Sequence, residues 1–205
     1  TNYGEYLENY PPSHMVEIVE NSSWSCAHGV ERWRDNCGCH TGMHPRWSQA
    51  WRRPLRKAMD WLRDQIDAIY DEEAATYLSD PRETRNNYIE VMLDPSSERV
   101  EKFLETDAHR KLASKERERA FKLLEMEKNA MLIYTSCGWF FDDISGIETV
   151  QVMRYAAKAM ELAEELVAIR LEPEYVRMLK AVPSNLHQNG AKTYELLVKP
   201  CQKLP

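Results

Sequence analysis

From Trp51 onward, apolar side chains recur every three to four residues, and this spacing admits only amphipathic helices. Leu55, Met59, Leu62, Ile66 and Ile69 predict a first helix over 51–77, with Pro54 in the opening turn, where a missing N–H costs nothing. Asp80-Pro81 and Asp94-Pro95 each pair an N-cap acid with a proline at the first helical position, predicting two further starts. Phe121, Leu124, Met131 and Leu132 define a helix over 114–134, and Val150, Met153, Ala157, Met160, Leu166 and Ile169 define another over 147–170. Shorter helices are expected from Pro173 to before Pro183, and over 191–198. No stretch alternates apolar and polar residues long enough to form a strand. The fold class expected is therefore all-α: an irregular bundle of about six to seven helices.

Before that bundle the pattern breaks. Residues 1–23 carry Pro11-Pro12, several asparagines and one short apolar patch at Met15, Val16, Ile18 and Val19, an irregular lead-in with room for a helical turn or a strand. Residues 24–48 are then too rich in glycine and polar residues for a long helix, and read as a loop. A loop that long inside a compact domain is usually functional or held by something. The expected organisation is 1–50 as lead-in and loop packed on the bundle, 51–199 as the bundle, and 200–205 as a tail. A chain that opens on Thr1 rather than Met also reads as a piece excised from a larger protein.

Into the loop the chain packs three of its five cysteines, at Cys26, Cys37 and Cys39, with His28, His40 and His44, and Trp24, Trp33 and Trp47. Thiolate sulfur and imidazole nitrogen together suit zinc or an iron–sulfur cluster. The spacing matches no standard zinc finger, and Cys37-Gly38-Cys39-His40 is one residue short of a c-type haem attachment motif. Four thiolates are reached by adding Cys137 from a second short segment, 135–143, that lies between the two longest helical patterns. The candidate metal ligands are thus Cys26, Cys37, Cys39 and Cys137, with His28 or His40 as alternates. Gly38 lets neighbouring thiolates turn toward one point. Against this stands the reading of these cysteines as small buried hydrophobes. An odd cysteine count, clustered, favours a reducing compartment over a disulfide framework.

Tryptophans beside arginines and acids can stack on a sugar ring while charged groups bond its hydroxyls, or can simply seal a core. Trp61, in mid-helix, is expected in the core. Asp142 and Asp143 in the second segment are either paired carboxylates for acid–base work or, through Asp143-Ile144-Ser145-Gly146, a turn leading into the long helix. With 27 Lys and Arg against 33 Asp and Glu the net charge is −6, and the basic residues are interleaved with acids, which argues against a nucleic-acid partner. No run approaches the roughly 18 apolar residues of a membrane span.

Residues 22–33 with Cys37-Gly38-Cys39, together with Tyr134 to Glu148 and Arg154-Tyr155-Ala156, resemble the C-terminal helical domain (domain of unknown function 3536) of bacterial glycoside hydrolase family 57-like proteins. Pro183-Ser184-Asn185 and 194–200 are similar as well. The resemblance implies a cytoplasmic accessory domain, not catalytic alone, that packs on an upstream catalytic barrel acting on α-glucans or other polysaccharides. The catalytic carboxylates belong to that barrel. By the same resemblance Trp24, Trp33, Trp139, Asp142 and Asp143 become candidates to face the substrate. The alternatives from the residues themselves are a zinc or iron–sulfur sensing or structural module, or a purely structural interaction domain.

Overall fold

The computed structural model describes residues 1–199; the expected tail at 200–205, with Cys201, lies outside the described residues. The order is α1 (Tyr3–Asn9), a single 3-10 turn (Glu31–Trp33), α2 (Arg52–Ala74), α3 (Pro81–Leu93), α4 (Ser97–Asp107), α5 (Ser114–Leu132), α6 (Cys137–Phe140), α7 (Ile147–Val167), α8 (Glu172–Leu179) and α9 (Gly190–Leu197). Among the described residues there is no strand, only one isolated antiparallel bridge between Leu78 and Ala108. The all-α expectation holds. Its seven helices are α2 to α5 and α7 to α9, and the two unforeseen ones, α1 and α6, are too short to show a period.

Three long helices form the centre, with α5 packed along both α7 and α2. α2 shows why: Leu55, Ala58, Met59, Leu62, Ile66, Ile69, Tyr70 and Ala74 all fall on one stripe and are all buried. α8 packs on α2 and α9 on α8, while α3 and α4 pair at the other end. Asp80 caps α3 as expected, accepting from the backbone N–H groups of Arg82 (3.1 Å) and Glu83 (3.0 Å). The second Asp-Pro pair works differently. Pro95 holds Asp94 in extended backbone, so Asp94 closes α3, and Ser96 caps α4 by accepting from Arg99 N–H at 3.3 Å.

α6 is a hinge between the central helices, lying on α7 at one side and on the 3-10 turn at the other. Its approach to α7 depends on Gly138, where an added Cβ would stand 2.4 Å from a methyl of Val152. α6 therefore brings the second special segment against the first.

Candidate metal centre

The loop before α2 coils around one point. The backbone turns at Cys26, whose carbonyl accepts from Gly29 N–H at 3.2 Å, and continues through the 3-10 turn to Cys37. Gly38, at φ +80°, reverses the chain with open space around its Cα, so that Cys37 and Cys39 face the same side. Cys26 Sγ stands 3.8 Å from Cys37 Sγ, 3.7 Å from Cys39 Sγ and 3.9 Å from His28 Nδ1, and His28 Nδ1 stands 3.5 Å from Cys39 Sγ. All four ligand atoms lie within 4.8 Å of one another, close enough to hold a metal ion. Tetrahedral zinc, with Zn–S near 2.3 Å and Zn–N near 2.05 Å, sets its sulfur–sulfur edges at about 3.8 Å and sulfur–nitrogen edges at about 3.6 Å. The Cys26–Cys37, Cys26–Cys39 and Cys39–His28 separations have that size, and Cys26–His28, at 3.9 Å, is slightly longer.

The thiols influence one another strongly. Burial pushes the Cys26 thiol up, but backbone donors at His28 and Arg32 and the imidazole of His28 pull it lower, to about 6. Cys39 goes the other way, to about 11, through burial and the neighbouring sulfurs of Cys37 and Cys26. Sulfurs this close do not all ionise unless a cation sits among them, which is the condition a thiolate metal site meets. Cys26 is buried at the base, Cys37 and Cys39 are half-buried, and His28 is exposed, so the centre opens at the protein surface.

Of the six candidate ligands, then, the structure gathers Cys26, Cys37, Cys39 and the alternate His28. Cys137 is exposed at the start of α6 and is not in the group. His40 is occupied by its own turn, with Nδ1 accepting from Gly42 N–H at 3.0 Å. The two special segments do meet, through other residues. Trp33 donates its indole N–H to Ser136 O at 3.0 Å, and Asp142 accepts from Thr41 N–H at 2.8 Å and from the Thr41 hydroxyl.

The strongest tie is Arg52, fully buried in the first turn of α2. Its guanidinium donates to Cys39 O (3.0 Å), Phe140 O (3.1 Å) and Phe141 O (3.2 Å), clamping the cysteine loop to α6. Arg32, also buried, donates to Ser25 O at 3.1 Å and lies 3.9 Å from the Phe140 ring centre. Arg32, read from the sequence as a possible partner for sugar hydroxyls, is thus spent on the loop itself, and Arg52 was missed, although it has no acid three or four residues away on its helix, the usual partner of a helical arginine.

The substrate-facing candidates divide. Trp139 is a core residue with no exposed surface: its indole N–H donates to Ile133 O at 3.1 Å and its ring lies against Trp51. Asp143 is buried and fully engaged, accepting from Ser145 N–H and hydroxyl, Ser184 hydroxyl, and Asn185 N–H and side-chain amide. Burial raises its carboxyl, and those donors more than reverse the effect, leaving it below the usual carboxylate range. Asp143 thus holds the turn before α7 to the 182–189 loop, and Asp142 holds Thr41. Trp33 is half-buried. Trp24 alone is open, 91% exposed, stacked on Phe140. Trp61, expected in the core, is only partly buried at its margin.

Fold and site together define an all-helical domain with a surface cysteine–histidine centre built on a loop. The chain belongs to the family described as Domain of unknown function (DUF3536), whose model matches residues 47–203. Arg52 and the 137–143 segment lie within that span, and the four candidate ligands precede it. No curated protein and no solved structure matches the chain. Among the described residues no helix is long and apolar enough to cross a membrane.

Proposed function

We propose that this chain is an accessory module whose N-terminal loop is organised by one zinc ion on Cys26, His28, Cys37 and Cys39. The observation that carries this is that the four ligand atoms lie within 4.8 Å of one another, with the Cys26–Cys37, Cys26–Cys39 and Cys39–His28 distances of the size of the edges of a zinc tetrahedron. The donor set favours zinc over an iron–sulfur cluster, because a cluster places several atoms between its thiolates and needs them further apart. Four protein ligands leave no open position, the pattern of a structural rather than a catalytic zinc. Protein purified without chelators should contain about one zinc per chain, and the cobalt-substituted form should show thiolate charge-transfer bands and tetrahedral d–d bands. Metal below about a tenth of an equivalent, with no cobalt uptake, would refute the site.

A second observation favours the accessory role. Met15, Val16, Ile18, Val19 and Trp24 are all more than 70% exposed, and no residue of α1 is buried. Four of these apolar side chains fall within five residues of chain, and exposed apolar surface of this kind marks a face that another body covers. The partner proposed is the catalytic barrel of a family 57-like, cytoplasmic carbohydrate-active protein of which this chain is a part. There the zinc loop would set how Trp24 and the lead-in meet the barrel beside its α-glucan or other polysaccharide site. Full activity of the parent protein on α-glucans after removal of residues 1–199, or hydrolysis by this chain alone, would sink that reading.

A further inference from the structure

We propose that the Cys26–His28–Cys37–Cys39 centre is a metal-gated thiol switch, which a hydroperoxide opens by converting two of its thiolates into a disulfide that includes Cys26. The proposal rests on the zinc reading of the same residues. Its own support is geometric. Cys26 Sγ lies 3.7 Å and 3.8 Å from two other sulfurs, so a shift of somewhat under 2 Å brings it to the length of a disulfide with either. The two outer cysteines share only Gly38 between them, and that spacing strains a bond from one to the other. Cys26 is therefore the common partner.

Exposure assigns the order of events. Cys37 and Cys39 are half-buried and His28 is exposed, whereas Cys26 is only 4% exposed at the base. A small oxidant reaches an outer sulfur first. Gly38, at φ +80° with nothing within 4 Å of an added Cβ, leaves the link between the outer pair uncrowded. A structural zinc sealed inside a core lacks both features.

The chemistry balances with a hydroperoxide as oxidant. An outer thiolate attacks the O–O bond, forming an S–O bond; the distal oxygen stays on sulfur as a sulfenic acid, and the alkoxide leaves and takes a proton to become the alcohol. The Cys26 thiolate then attacks the sulfenic sulfur, forms the S–S bond and expels hydroxide, which takes a second proton to become water. Two thiolates lose two electrons in total and the hydroperoxide gains them. The ion, left with one thiolate and one imidazole, dissociates. A dithiol reductant reverses the disulfide and restores the ligands.

The switch has a readout in this fold, because the loop that would move carries Trp24 and Trp33, the latter bonded to Ser136 O. Zinc-loaded protein carrying Cys137→Ser and Cys201→Ser is titrated with hydrogen peroxide while released zinc, tryptophan emission and disulfide-linked peptides are followed. The expected result is one zinc released per disulfide, linkage of Cys26 to Cys37 or Cys39, and recovery of zinc binding after dithiothreitol. Zinc retained through ten equivalents of peroxide overturns the switch while leaving the zinc site standing. So does zinc loss accompanied by sulfinic acids, or by a Cys37–Cys39 link only. A preparation with no zinc before peroxide, and no uptake of added zinc, removes the zinc reading and the switch together. Cys26→Ser, checked for unchanged helical circular dichroism, should release no zinc coupled to a disulfide.

Discussion

Replacing Arg52 by Met tests how the loop is held to the helices. The guanidinium is fully buried and makes three hydrogen bonds to carbonyls on two separate segments. Each such bond from a charged donor contributes about 2 kcal/mol, so the gross loss is about 6 kcal/mol. Against it stands the cost of burying the charge. Burial, with the nearby positive charge of Arg32, depresses the Arg52 guanidinium from 12.5 to about 10. That shift corresponds to about 3 kcal/mol, which methionine recovers. The net expectation for Arg52→Met is therefore a loss of about 3 kcal/mol, seen as a lower urea midpoint with an unchanged m-value. Arg52→Lys should fall between wild type and Arg52→Met, because a single ammonium cannot fork between carbonyls of different segments. Amide exchange should rise most at 39–42 and 140–143. A loss below 1 kcal/mol for Arg52→Met, or exchange unchanged in those segments, would refute the clamp.

Burial lifts the Glu127 carboxyl to about 7, although Arg85, at 2.8 Å, draws it back. A folded value above the unfolded one makes stability greatest below about pH 4.5 and falling as pH rises through 7, by about 3 kcal/mol in all. Glu127→Gln should flatten urea midpoints between pH 5 and 8, and parallel pH profiles for the two proteins would contradict this. Gly138→Ala places a Cβ 2.4 Å from Val152 and should cost about 1–3 kcal/mol. Most of that should return in Gly138→Ala/Val152→Ala, as thermal melts can show; a double variant no more stable than the single one would exclude the contact. Asp143→Asn turns an acceptor into a donor facing the donors of Ser145, Ser184 and Asn185, and should cost about 2 kcal/mol with exchange rising over 182–189.

The helices were legible because their signals are local. Eight buried residues on one stripe of α2, and Asp80 before Pro81, state a helix and its start without reference to the rest of the chain. α6 was not legible, since four residues carry no period and its place depends on Gly138 meeting Val152. In the centre, residue types announced metal chemistry, but the fourth ligand was a matter of three-dimensional reach. His28 is two residues from Cys26 and arrives with the same turn, whereas Cys137 is fixed to α6 and points to solvent. Trp139 and Trp24 look alike in sequence, one between Gly138 and Phe140 and the other between Ser23 and Ser25, yet one is core and the other open. Their difference lies in what each meets: Trp139 packs on Trp51 and bonds Ile133 O, whereas Trp24 lies over the Phe140 ring at the surface.

Charge explains why the fourth ligand suits an imidazole. Arg32 and Arg52 bring two buried positive charges to the loop, and among the described residues neither has an ion-pair partner; the Nε–H of each is buried without an acceptor. Asp142, which faces Arg52 electrostatically, supplies one negative charge. Three thiolates around a divalent ion supply one more, since −3 and +2 leave −1. Over Arg32, Arg52, Asp142 and the loaded centre the sum, +2 −1 −1, is zero, while the buried Asp143 carboxylate is matched by its own donors at Ser145, Ser184 and Asn185. A fourth thiolate in place of His28 would leave a net negative charge in a half-buried site, and an uncompensated charge there is costly. Arg32 and Arg52 thus match a tris-thiolate, single-histidine centre around a divalent ion. Substituting His28→Cys should accordingly bind zinc less tightly than wild type in chelator competition, even though cysteine is ordinarily the stronger ligand; tighter binding by His28→Cys would refute the charge argument.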